Sequence, residues 1–436
     1  MNLFTKLQQR AAEGRPLRVG LIGAGKFGSM YLSQVRRTPG VKLMAVADLD
    51  LGRARQALAR VGWTADAIDT VSFIEDGAEL IASDAVEIVI DATGSPAAGI
   101  RHALACCAHG KHVVMVNVEA DALAGPLLAQ RARQAGIVYS LAYGDQPALI
   151  CELVDWARAC GFEVLAAGKG TRYLPEYHRS TPDTVWPHYG FTPEVVAAGD
   201  FNARMFNSFL DGTKSAIEMA AVSNATGLIP APEGLGFPPC GVDDLPRVLK
   251  PIGEGGRLHH RGQVEVISSL ERDGRPVYRD LRWGVFVTFA ADGEYVRRCF
   301  REYGLVTDPS GNVSALYKPY HLIGLELGIS VASVGLRGEP TGCATGFRAD
   351  VVATAKRALK PGEVLDGEGG YTVYGRLMPA ADSLRLGGLP LGLAHKVALK
   401  RAVAEGAPVR WEDVEFDARN EAVKFRREME RAFAPS

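Results

Sequence analysis

The chain has 436 residues, which at roughly 150 per domain points to two or three domains, and its 47% hydrophobic and 23% charged residues exclude a disordered chain or a coiled coil. Its 49 Lys+Arg against 50 Asp+Glu leave a formal net charge of −1, so it carries no electrostatic footprint for nucleic acid or an anionic membrane. Seven cysteines without a CxxC, a polar N-terminal segment and no apolar run of ~18 residues lead to the expectation of a cytoplasmic protein without disulfides, structural zinc or a membrane span.

Residues 3–13 read as an amphipathic helix ahead of a strand at 17–22. A Gly-rich turn, a helix at 27–37 and a strand at 41–47 follow. Helical pattern fills 52–61 and 74–82, and an apolar run at 86–90 ends in Asp91-Ala92-Thr93-Gly94. A helix at 96–109, strand at 112–116, helix at 121–135 and strand at 137–141 continue the alternation. Short apolar strands alternating with helices predict a doubly wound parallel sheet of Rossmann type. Beyond 147 the rhythm changes: helix 148–160, strand 162–167, an irregular segment 170–200, and a long helix from about 200 to 223. Strands near 264–268 and 283–290 precede another helical pattern at 318–335. The final part, 346–436, shows short strands, Gly and Pro turns and a charged terminal helix. The expected organisation is α/β: a nucleotide-binding domain (1–160), an α+β catalytic and oligomerisation domain (161–345) whose helix 319–335 packs back on the first, and a small β-rich domain (346–436).

The turn from Gly20 to Gly28 contains G-x-G-x-x-G at Gly23, Gly25 and Gly28. Gly23 permits the tight turn, Gly25 the approach of a pyrophosphate, and Gly28 close packing of the helix on the strand. The helix N-terminus at Lys26 and Phe27 then presents N–H groups to phosphate. A strand before, a helix after and Asp48 twenty residues past Gly28 supply the context that the fingerprint demands. Asp48 suits the adenosine ribose hydroxyls and repels a 2′-phosphate, which tilts the cofactor from NADP towards NAD; Arg53 and Arg55 are placed to restore NADP binding. Thr93, Gly94, Asn117 and Glu119, after later strands, are candidates for the same crevice, although strand-end loops are polar in any case.

Asn207, Asp211, Lys214 and Glu218 are spaced 4, 3 and 4 apart, which on one helix puts them in a band ~60° wide. Small and apolar neighbours favour a buried proton-transfer cluster over a solvated face with i,i+4 pairs. Lys169, between two glycines, reads as an accessible ammonium in a turn, and His321 as a donor near a helix start; a surface lysine and a helix-end histidine are the alternatives. His259-His260 and the His178/His188 pair lack partners at metal-ligand spacing, so no bound metal is predicted. A divalent ion recruited by Asp211 or Glu218 with the substrate stays open.

The first ~160 residues and the Gly168-Lys169-Gly170 turn resemble homoserine dehydrogenase. Residues 110–121, 167–170, 211–227 and 318–322 resemble, over almost the whole chain, the homoserine-dehydrogenase-like oxidoreductases that include 1-deoxy-D-xylulose 5-phosphate reductoisomerase-like enzymes. The tail, with Ala355-Lys356-Arg357 and Trp411-Glu412-Asp413, looks like a SAF (β-clip) domain. The resemblance implies an NAD(P)-dependent oxidoreductase acting on a small polar substrate and assembling as a homo-oligomer. Two alternatives stand beside it: a reductoisomerase of the isoprenoid pathway requiring a divalent cation, and a non-enzymatic NAD(P)-binding sensor. Asp48 and the aromatic segment 171–190 set the chain apart from the reductoisomerase group.

Overall fold

The structure, a computed structural model, describes residues 2–199, 201–417 and 419–434. It divides into two compact units, 2–152 with 321–345 and 153–320 with 346–434.

In the first unit, strands β1 (Leu17–Ile22), β2 (Val41–Ala47), β3 (Ser72–Ile74), β4 (Ile88–Asp91), β5 (His112–Met115) and β6 (Tyr139–Leu141) form a parallel sheet in the order β3-β2-β1-β4-β5-β6. This is the doubly wound dinucleotide-binding order, with the reversal between β1 and β4. Each of the four residues of β4 is buried, as expected for a parallel strand covered on both faces. The helix expected at 96–109 runs over Pro96–His109: the Ser95 side chain accepts the Ala98 N–H, Pro96 opens the first turn and Gly110 closes the last at φ 64°. The pattern at 74–82 divides instead into β3, an edge strand on β2, and a helix Gly77–Ala82 started by the Asp76 carboxylate, which accepts the Ala78 N–H.

Buried in helix Val118–Gln134, Asp121 accepts a 2.9 Å hydrogen bond from the Tyr139 hydroxyl, while its other carboxyl oxygen has no partner. Burial pushes its pKa up to about 7. A folded-state value above that of the unfolded chain means that folding takes up a proton. Asp121 therefore contributes most below about pH 4, and that contribution is lost as pH rises towards 7. Urea unfolding at pH 5 and pH 8 tests this: Asp121→Asn flattens the loss of stability that the wild type shows between the two.

In the second unit, β7 (Glu163–Thr171), β8 (Gln263–Ser268), β9 (Val285–Ala290) and β10 (Val313–Lys318) form a sheet in the order β10-β9-β7-β8, parallel only between β7 and β8. Two antiparallel pairs complete it: β11 (Ala349–Ala355) with β13 (Val373–Pro379), and β12 (Val364–Asp366) with β14 (His395–Ala398). The residues expected as a separate tail domain thus belong to the same compact unit as 153–320. Asn224 Oδ1 accepts the Arg348 and Ala349 N–H groups, and the Thr213 hydroxyl accepts the Gly375 N–H at 2.8 Å. Segment 321–345 falls in the first unit.

Two further element expectations are corrected. The long helix is two helices, Ala203–Leu210 and Thr213–Thr226, separated by Asp211 and by Gly212 at φ +86°; its expected start at residue 200 lies outside the described residues. Lys318 does not open a helix, because it is the last rung of β10 opposite Val285, and the helix begins at Gly328. Helix Gly293–Glu302 was not foreseen.

Candidate functional site

The first unit presents a dinucleotide turn. Gly25 is the N-cap of helix Lys26–Val35 and no side chain caps that helix, so the first-turn N–H groups are left for an anion. A Cβ at Gly25 would point into open space, whereas one at Gly28 would collide with the Gly23 carbonyl oxygen. Gly23 itself stands at φ +96°. The cradle thus fits a pyrophosphate.

Asp48 does more than end β2. Its Oδ2 accepts the Ala24 N–H at 2.8 Å, inside the turn; its Oδ1 accepts the Asp50 N–H at 3.0 Å and the Arg53 guanidinium at 2.7 Å. Burial works to raise its pKa, but these donors outweigh it and hold the carboxyl below the usual range. Asp48 is therefore an anion that pins the phosphate turn.

At the ends of β4 and β5 lies a network that sequence reasoning found only in part. Asp91 accepts from the Thr93 N–H (2.9 Å) and hydroxyl (2.6 Å), and its other oxygen pairs with His102 Nδ1 at 2.7 Å. Asn117 donates to Thr93 Oγ1 at 3.1 Å and to the Ser95 carbonyl at 2.8 Å. Thr93 and Asn117 are thus held together. Gly94 is exposed, and Glu119 sits half-buried in the first turn of its helix. His102 had no signal in the sequence beyond being a lone histidine on a helix.

The second unit separates the expected polar band into two clusters. Asn207 donates to the Ser180 and Gly369 carbonyls at 3.1 and 3.0 Å and accepts the Ser180 hydroxyl at 2.6 Å. Asp211 Oδ1 accepts the Thr213 N–H, and Oδ2 pairs with Lys356 at 2.8 Å. Lys356, which sequence reasoning did not single out, also donates to the Ser180 and Gly370 carbonyls at 2.6 and 2.7 Å. Two of its donors are thus hydrogen-bonded and its charge is matched by Asp211, whose Oδ2 meets it as an ion pair without a hydrogen bond, so this cluster is a lock rather than a reaction centre. Lys356→Ala leaves Asp211 buried and unpaired, for an expected loss of about 3–5 kcal/mol in urea unfolding.

Against Asp211 lies His178. Its Nδ1–H donates to the Asp211 carbonyl at 2.7 Å, so in the neutral ring Nε2 accepts the Tyr173 hydroxyl at 3.0 Å. Burial pushes the His178 pKa down, which favours that neutral form.

The other cluster is Lys169 with Glu218. Lys169 is not in an exposed turn: it lies within β7 between Val285 and Val266, only 6% exposed, and ion-paired to Glu218. Gly168 and Gly170 read as a turn in the sequence, but in the sheet they admit the close approach of the Glu265 and Leu281 carbonyls. Glu218 is one helical turn from Lys214, on the same face of helix Thr213–Thr226. Among the described residues Lys169 has one acceptor for its three donors, whereas Lys356 has two carbonyls and the Asp211 carboxylate around it. His321 lies in the first unit, apart in the chain division from the other five candidates. Asp211 and Glu218 each carry a lysine on the carboxylate, a donor set that does not suit a divalent cation.

Comparison with known proteins follows the same division. Residues 17–115 match the model of the oxidoreductase family, NAD-binding Rossmann fold, and residues 144–327 match oxidoreductase DRL, catalytic domain. Inositol 2-dehydrogenase of Rubrobacter xylanophilus is 40% identical over 79 residues, 18% of this chain and 20% of that protein. Inositol 2-dehydrogenase 4 of Saccharopolyspora erythraea is 40% identical over 81 residues, 18% and 22% of the two chains. The chain thus spans about a fifth of the length of these curated relatives. Among solved structures, a homoserine dehydrogenase from Thiobacillus denitrificans is similar at TM-score 0.38 and 21% identity, over 49% of this chain and 50% of that one. A scyllo-inositol dehydrogenase from Lactobacillus casei, solved with NAD(H) and scyllo-inositol, is similar at TM-score 0.27 and 15% identity, over 36% and 46%. Residues 17–115 therefore carry an NAD-binding Rossmann domain of the oxidoreductase type, followed by a region similar to the DRL catalytic domain.

Proposed function

We propose that the chain is an NAD(P)-dependent oxidoreductase acting on the CH–OH or C=O group of a small polar compound, with NAD favoured. The observation that carries the reading is the uncapped Gly23–Gly28 turn, pinned through Ala24 by the anionic Asp48. The nicotinamide, when bound, supplies or takes the hydride. The chain's own residues do the rest. The turn and helix N-terminus bind phosphate, Asp48 receives ribose hydroxyls, and the Asp91–Thr93–Asn117 network keeps the strand ends in one arrangement. Lys169 offers its unused donors to the substrate oxygen, and Glu218 holds that ammonium in place and is positioned to exchange a proton with it. Asn207 and Asp211 support the fold, with Lys214 beside Glu218 as a second cation. Action in the cytoplasm as a homo-oligomer belongs to the same reading.

The test is cofactor-linked turnover on a panel of myo-inositol, L-homoserine and 1-deoxy-D-xylulose 5-phosphate, the last with and without Mn²⁺, for the wild type and Asp48→Asn. Turnover with NAD(H) is expected. Asp48→Asn keeps an acceptor for the Ala24 N–H but loses the charge, and shifts preference towards NADP(H) by about tenfold. Dinucleotide binding without turnover on a widened panel of hydroxy and keto acids would favour a sensor over an enzyme.

A further inference from the structure

In the second unit Arg172 directly follows β7, and Arg282 lies in the turn that leads into β9. The antiparallel register of β7 with β9 sets Lys169 opposite Val285, and the Gly170 N–H donates to the Gly284 carbonyl at 3.0 Å. The turn at 281–284, closed by the Gly284 N–H donating to the Leu281 carbonyl at 2.9 Å, ends that register and brings the Arg282 backbone against Gly170, two residues before Arg172. The two like charges are near enough to repel one another.

Both side chains are half-buried and both converge on helix Val185–Tyr189. Arg172 Nε donates to the His188 carbonyl at 3.0 Å, and the Arg282 guanidinium stands 5.9 Å from the Tyr189 ring and 4.6 Å from the Trp283 ring. Among the described residues neither guanidinium has a carboxylate within ion-pair distance. The nearby Asp280 spends one oxygen on the Arg282 backbone N–H at 2.8 Å. Buried Arg426, by contrast, is held by both Asp350 and Glu430. Burial and the neighbouring Arg172 depress the Arg282 pKa, the mark of a cation short of counter-charge.

We propose that Arg172 and Arg282 form a binding site for an anionic oxygen group, phosphate or carboxylate, carried by the small molecule on which the protein acts. Two planar forks, that of Arg282 set against aromatic rings, match the geometry of such groups, and the anion relieves the repulsion between them. The site itself stands on the arginines alone; its assignment to a substrate rests on the oxidoreductase reading.

The full-length protein is titrated calorimetrically with sodium phosphate and with sodium malonate, against sodium chloride at matched ionic strength, as wild type, Arg172→Gln, Arg282→Gln and Arg282→Lys. Phosphate also suits the glycine turn, but that contribution is common to all four proteins and cancels between them. The expected result is binding of phosphate or malonate that weakens by about tenfold in either glutamine variant, with Arg282→Lys in between. Which anion binds tells phosphate from carboxylate. Anion binding no stronger than chloride in the wild type, or equal in wild type and the variants, overturns the proposal. Binding of NADH, measured separately, is expected to be the same in all four. Its absence throughout would refute the oxidoreductase reading while leaving the anion site standing.

Discussion

Lys169→Met is expected to lower turnover by about two to four orders of magnitude while leaving dinucleotide affinity unchanged. The argument rests on unequal satisfaction of two buried lysines. Lys356 donates to two backbone carbonyls and ion-pairs Asp211, whereas Lys169 has Glu218 as its acceptor among the described residues. An ammonium buried beside a carboxylate with donors to spare is suited to hold or deliver a proton at a substrate oxygen. Losing one partner of a buried pair also costs stability, about 3–5 kcal/mol, so the single variant needs a companion. Lys169→Met combined with Glu218→Gln removes both charges and is expected to recover most of the lost stability in urea unfolding. It is not expected to recover turnover. Recovery of both would make the pair structural.

Gly28→Ala is the second large effect. The new Cβ collides with the Gly23 carbonyl oxygen, so helix Lys26–Val35 must move off the turn or the turn must open. Overpacking of this kind costs about 1–3 kcal/mol. Because the displaced parts are the helix N-terminus and the phosphate turn themselves, the same distortion is expected to weaken NADH binding by about ten- to hundredfold. Gly25→Ala is the contrasting variant: its Cβ meets nothing within 4 Å in the protein, so it keeps stability and loses affinity through the ligand alone. Thermal unfolding together with NADH fluorescence titration separates the two.

Much of the first unit was legible because its signals are local. Apolar runs of four to seven residues, G-x-G-x-x-G, Ser95 before Pro96 and Gly110 after His109 act over a few residues of chain, and the structure follows them closely. What was not legible depends on distant partners. Helical spacing grouped Asn207, Asp211, Lys214 and Glu218 on one face, but a period cannot register that Gly212 takes a left-handed conformation and ends the helix. The tail supplies Lys356 and the carbonyls of Gly369 and Gly370, more than a hundred residues away, and it is these that turn Asn207 and Asp211 into a lock. Lys169 illustrates the same limit. Two glycines beside a lysine look like a turn until the carbonyls of Glu265 in β8 and of Leu281 in the turn before β9 show why no side chain fits there. The pairing of Arg172 with Arg282 also had no sequence signal, since 110 residues separate them and it is the folded second unit that brings both to helix Val185–Tyr189.

The most direct test of the account is equilibrium binding of NADH and NADPH to the purified wild-type protein, followed by enhancement of nicotinamide fluorescence, with Gly28→Ala as the control. The account predicts saturable binding of a dinucleotide, tighter for NADH, that weakens in the variant. Binding of neither dinucleotide by a folded wild-type protein would contradict it.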